Sequence, residues 1–191
     1  MVLGLAGFAL SACGSASPNN GSALPSISSL HLTGFGATTA AWNNAHGPPY
    51  GTAGDQSYGP IVASMASRQF AVVEFSGDRV VSYLEYFAVG SSLKSAKATM
   101  LRAFPKDTTT VKTVIATKGS DQGCALWELS SKAIASIATH DPGSGLPNWS
   151  GDRSGKFVVE FNIAALGHAF TANNVTTGTV QAGPLSAGQG C

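Results

Sequence analysis

Three cysteines, four histidines and a pair of glutamates on neighbouring strand-like segments are the residues of this chain whose types could carry chemistry. Cys13, Cys124 and Cys191 are far from any CxxC spacing, and His31, His46, His140 and His168 form no HxxxH. No zinc-type ligand set can therefore be read from the chain, and no metal or cofactor is implied. Glu74 and Glu85 flank a Gly77-Asp78 turn signal. Two carboxylates on one strand pair are what a glycosidase uses as acid and nucleophile, although solvated strand glutamates give the same pattern. Serine, histidine and aspartate are all present, yet there is no GxSxG elbow, no SxxK and no HExxH. The Gly34-Phe35-Gly36 triplet lacks the preceding strand and further glycine spacing of a phosphate loop. No catalytic residue is assigned on these grounds.

Periodicity and punctuation define the elements that must hold these residues. Gly34 to Pro49 predicts a short helix with Thr38 or Thr39 as N-cap, Trp42 toward a sheet, and a stop at Gly47 and two prolines. His46 falls in the last turn, where capping or packing suits an imidazole. Arg68 to Val89 predicts a hairpin with Gly77 in the first central position of a type II′ turn. That turn sets Phe75 against Val80, Val73 against Ser82 and Ala71 against Leu84 on the core side. Phe70, Val72, Val81 and Tyr83 then share the other face with Glu74 and Glu85. Apolar groups beside carboxylates are the composition of a contact surface; a helix or the tail lying over them would make a second core layer.

Ser91 or Ser92 caps a second helix, with Leu93, Ala96, Met100 and Phe104 on one face and Pro105 as its stop. Its outer face carries Lys94, Lys97 and Arg102, with Lys106 just beyond, which suits an anionic surface or serves solubility alone. Thr109 to Thr117 and Cys124 to Leu129 predict a second hairpin, and Lys132 to Ala138 a short helix. After an irregular loop containing Trp149, Lys156 to Ile163 alternates, with Phe157, Val159, Phe161 and Ile163 on one face. The tail from Gly167 adds at most one weak strand.

Charged residues make up 11% of the 191 positions and the formal net charge is +1, which excludes the basic stripe of a nucleic-acid binder. A 43% apolar content is enough for one core. The expectation is one α+β domain over residues 34–170, a single antiparallel sheet of about four or five strands with two main helices on one face. A tail, 171–191, follows it.

Val2 to Leu10 is apolar or glycine throughout, the length of a signal-peptide core and about half of the ~20 residues a membrane span requires. It ends in Leu10-Ser11-Ala12-Cys13, which resembles the lipobox of bacterial lipoproteins. The resemblance implies a signal peptide over 1–12, a lipid on Cys13, and a place on the extracytoplasmic face of the cell membrane. Residues 13–33, rich in Ser, Gly, Pro and Asn, read as a flexible tether. With Cys13 acylated, Cys124 and Cys191 remain in an oxidising compartment and are expected to pair.

The order of segments from Gly34 to Ile163 is similar to that of secreted lipoproteins of actinobacteria and related bacteria, a group without established catalytic residues. As topology, a helix layer on an antiparallel sheet is similar to the β-lactamase-inhibitor-like and outer-membrane-assembly lipoprotein folds, which bind proteins. The functional expectation is a lipid-anchored binding or accessory protein with an envelope-protein or cell-wall partner. It would act through Phe70, Val72, Val81, Tyr83 and the Trp149 loop. The alternative is a cell-envelope hydrolase, which requires His46 or His140, Asp141 and a serine to meet in a cleft.

Overall fold

Three helices begin where a hydroxyl side chain satisfies an otherwise orphaned first-turn amide. In the computed structural model, which describes residues 23–49, 56–58, 71–118, 122–146, 153–164 and 173–185, Thr38 caps α1, Thr39–His46, by accepting from Ala41 N. Ser92 caps α2, Leu93–Leu101, through Ser95 N. Ser131 caps α3, Lys132–His140, through Ile134 N.

The strands are β1 (Gln56–Tyr58), β2 (Ala71–Ser76), β3 (Arg79–Tyr86), β4 (Thr109–Lys118), β5 (Gln122–Ser130), β6 (Lys156–Ala164) and β7 (Val175–Ala182). They form one antiparallel sheet in the order β1-β2-β3-β7-β6-β5-β4. The α+β class is as expected, but six long strands and a three-residue edge strand exceed the expected four or five. Much of the excess is β7, which occupies the middle of the sheet within the segment read as a tail. Its weak intrinsic pattern is overridden by pairing on both sides. Gly178 has a steric role there: a Cβ would stand 3.1 Å from the Phe87 ring and 3.2 Å from that of Phe161.

Register sorts side chains into rows. Val73, Tyr83, Val180, Val159, Trp127 and Thr113 are successive partners from β2 to β4, so they share one face. That face meets Trp42, Ala96, Met100, Ile134 and Ile137 of the helices in one continuous core. Three helices contribute where two were expected, and α3 buries every residue from Ala133 to Ala138.

The first hairpin corrects the expected contact surface. Phe75 does pair with Val80, but the register shifts between Glu74 and Phe75, so Val73 faces Tyr83 and Ala71 faces Glu85. A one-residue slip exchanges the faces of a strand. Val81 and Tyr83 are therefore buried, 0% and 2% exposed, while Val72 is half-buried. Phe70 and Trp149 lie outside the described residues, as do Cys13 and Cys191. Gly77 and Asp78 both have positive φ, 54° and 65°, which is a type I′ turn and not II′.

The segment read as a free tether joins the fold from Pro25 onward. It makes a 3-10 turn at Ile27–Ser29, and Leu30 and Leu32 pack on the core. Ser136 Oγ donates to Pro25 O, fixing this segment to α3. On the opposite sheet face, Cys124, Leu126 and Val158 form a small cluster that Leu185 partly covers. Cys124 is 1% exposed and disulfide-bonded.

Candidate functional site

A cleft forms where α2 ends, because Pro105 cannot continue the helix and the chain turns toward α3. Phe35 N donates to Ala103 O at 3.1 Å, laying residues 33–35 along this turn. Only glycine permits that approach at position 34, since a Cβ there would collide with Ala103 O. On the far side Asp107 reaches the start of α3. Its carboxylate accepts from Ser131 Oγ at 2.8 Å, Lys132 N at 2.7 Å and Ala133 N at 3.1 Å. An anion at a helix N-terminus is stabilised by the exposed amides and the helix dipole.

The cleft is open on one side and has a volume of about 600 Å³. Leu30, Leu32 and Phe104 give it apolar walls, and Arg102, Lys106 and Lys132 bring cations to it, with His31 alongside. The carboxylate of Asp107 is already engaged by three donors, so the remaining field is positive. Apolar walls with a few convergent charged groups are the usual make-up of a small-ligand site.

Arg102 also acts on the core beneath. Glu85 follows Tyr83 on the helix-facing side of β3, and burial pushes its pKa up to about 7 while the Arg102 charge opposes the rise. The hydroxyl of Tyr83 is buried without a hydrogen-bond partner. Burial, and then the Glu85 charge, raise its pKa well above the ordinary phenol value.

A hydrolase would need a serine, a histidine and an aspartate in mutual contact. Ser136 Oγ lies 3.4 Å from His140 Nδ1, but its proton goes to Pro25 O, and Ser136 is fully buried. His140 Nδ1 also lies 3.1 Å from the backbone oxygen of Ser136, and Asp141 pairs with Arg79, not with the histidine. His46 stacks on Trp42 at 4.1 Å between ring centres and bonds Thr33 O through Nε2, a packing role. Glu74 and Glu85 occupy opposite faces of the hairpin, so they cannot flank one bond. Among the described residues, no three of His, Cys, Asp and Glu converge on a metal-sized site, and no helix is long and apolar enough to cross a membrane.

The chain matches no family model, no curated protein and no solved structure. The site thus rests on its own geometry. Sequence reasoning placed Arg102 and Lys106 on an outward basic face and did not join them to His31 or Lys132. The one local signal was the abrupt Pro105-Lys106-Asp107 exit from the helix, where a lone acid follows four cations.

Proposed function

We propose that this protein is a lipid-anchored, extracytoplasmic binding protein whose cleft takes an amphiphilic anion. The anchor is a lipid on Cys13, as the lipobox resemblance implies, and the partners are the membrane and an envelope component. The observation that carries the ligand class is the meeting of Arg102, Lys106 and Lys132 around walls of Leu30, Leu32 and Phe104. Charged donors engage an anionic head at close range, and the apolar walls shelter a short hydrocarbon stretch. Support for binding over turnover comes from Ser136, His140 and Asp141, each committed to a structural contact.

The test is titration of the full chain in a non-ionic detergent with dodecyl phosphate, followed by calorimetry. Saturable binding is expected, about tenfold weaker in Lys106→Ala and in Arg102→Ala, with dodecanol failing to compete. Equal binding of dodecanol, or no dependence on either cation, would overturn the ligand class.

A further inference from the structure

β4 ends the sheet, and the apolar side chains that the fold leaves open gather around it. Six large apolar residues are more than a third exposed among the described residues, and four belong to β4 or the adjoining α2: Val111, Val114 and Ile115 at 47%, 39% and 53%, and Leu101 at 43%. From Thr110 to Ile115 one side of β4 pairs with β5, and no described strand lies on the other. Thr113 and Ile115 face the helix layer, opposite Trp127 and Ala125. Beside them a groove of about 450 Å³ runs between α2 and the sheet, lined by Leu93, Lys94, Lys97, Leu101, Thr110 and Trp127. Lys97 Nζ sits 4.7 Å from the Trp127 ring centre and donates to Thr113 Oγ1 at 2.9 Å, so a held cation marks the groove. α2 contains no acidic residue and brings Lys94 and Lys97 to the groove, while Lys112 of β4 pairs with Glu128 on the other face of the sheet.

We propose that this edge and groove take an extended acidic peptide segment of a partner protein, added as a further strand beside β4. An added strand finds a ladder of amides and carbonyls along the edge, and its alternate side chains find Ile115, Leu101 and the lysines. Charge selects the occupant. A second copy of the chain paired along this edge would bring Lys94 and Lys97 of α2 toward the same lysines of its partner, and like charges repel; Lys112 adds nothing to this, since it pairs with Glu128 on the other sheet face. An anionic bilayer would satisfy the lysines but cannot match the strand repeat. The groove shares no lining residue with the cleft at the end of α2, so the proposal stands apart from the ligand assigned there.

The experiment uses the full chain and a fluorescein-labelled ten-residue peptide alternating valine and glutamate, read by anisotropy. Saturable binding is expected, at least tenfold weaker in Lys94→Glu and Lys97→Gln, and lost when alternate peptide amides are N-methylated. The same peptide with lysine for glutamate should not bind. Lys94 is exposed, so Lys94→Glu carries the result even if Lys97→Gln disturbs Trp127. Equal binding of the lysine peptide, indifference to N-methylation, dimerisation of the chain through β4 in sedimentation, or binding of phosphatidylglycerol vesicles without binding of the peptide would each overturn the proposal.

Discussion

Arg79, the first residue of β3, donates from Nε to Asp141 Oδ2 at 2.8 Å, and so ties the first hairpin to the C-terminal end of α3 across 62 positions. Its Nη1 donates to Gly36 O at 2.9 Å, so a single guanidinium joins three segments. Both bonds are partly buried, and breaking them leaves Asp141 and a carbonyl without their donor. Arg79→Ala is expected to lower unfolding free energy by about 2 kcal/mol in urea titrations. Arg79→Lys should recover little, since an ammonium cannot reproduce the planar fork. A loss below about 0.5 kcal/mol in Arg79→Ala would refute this assignment.

Glu85 makes stability depend on pH. Its carboxyl titrates near 7 in the fold, against 4.5 as the ordinary value, because burial penalises the charged form. The folded chain therefore binds this proton more tightly than the unfolded chain, and its contribution to stability falls as pH rises between about 4.5 and 7. The loss is of order 3 kcal/mol at full ionisation. Glu85→Gln should flatten the decline between pH 5 and pH 8. Arg102→Ala should push the carboxyl higher still, so that the decline begins at the same pH and continues to higher pH. Chemical denaturation across that range checks both.

Gly77 has two reasons to be glycine: a φ of 54° and a backbone oxygen, Gly143 O, where a Cβ would stand. Gly47 has only the first, with φ 82° and open space around it. Gly77→Ala is therefore expected to cost clearly more than the roughly 1 kcal/mol expected of Gly47→Ala. Parallel melts of the two variants separate collision from conformational strain, and equal losses would remove Gly143 from the account.

We propose Cys191 as the partner of Cys124. Leu185, six positions before the C-terminal cysteine, already packs on the Cys124 cluster. Closing a loop of 67 residues stabilises by about 4 kcal/mol in the chain-entropy model, before strain is subtracted. Mass spectrometry of unreduced, exported protein should yield a peptide joined through these two residues. Recovery of Cys191 as a free thiol would exclude the pairing.

For the anchor, Cys13→Ala is expected to shift the protein from the membrane fraction to the soluble or secreted one. Metabolic labelling with a fatty-acid analogue should mark the wild type and not the variant. An unlabelled wild type would rule the anchor out, and would leave the binding reading of the cleft to its own titration.

Much of the secondary structure was already written in contiguous residues. Thr38, Ser92 and Pro105 set helix ends because a cap or a missing amide acts within one turn. Phe157, Val159, Phe161 and Ile163 announced a half-buried strand because alternation is a property of the strand itself. The faces of the first hairpin were not written there. The extra residue, Val81 of β3 opposite the Glu74–Phe75 step, is a small local irregularity, and what favours it is burial of Val73 and Tyr83 under α1 and α2, a long-range gain. Val175–Ala182 looked like a weak tail for the same reason, since its place depends on β3 and β6 offering edges on both sides. The cleft is more remote again from sequence. Leu32, Arg102 and Lys132 lie far apart along the chain, and only the packing of the N-terminal segment, the end of α2 and the start of α3 puts their charge and apolar surface around one volume. Local pattern determined which elements form; the energy of non-local pairing and burial decided which faces they present and which cations meet.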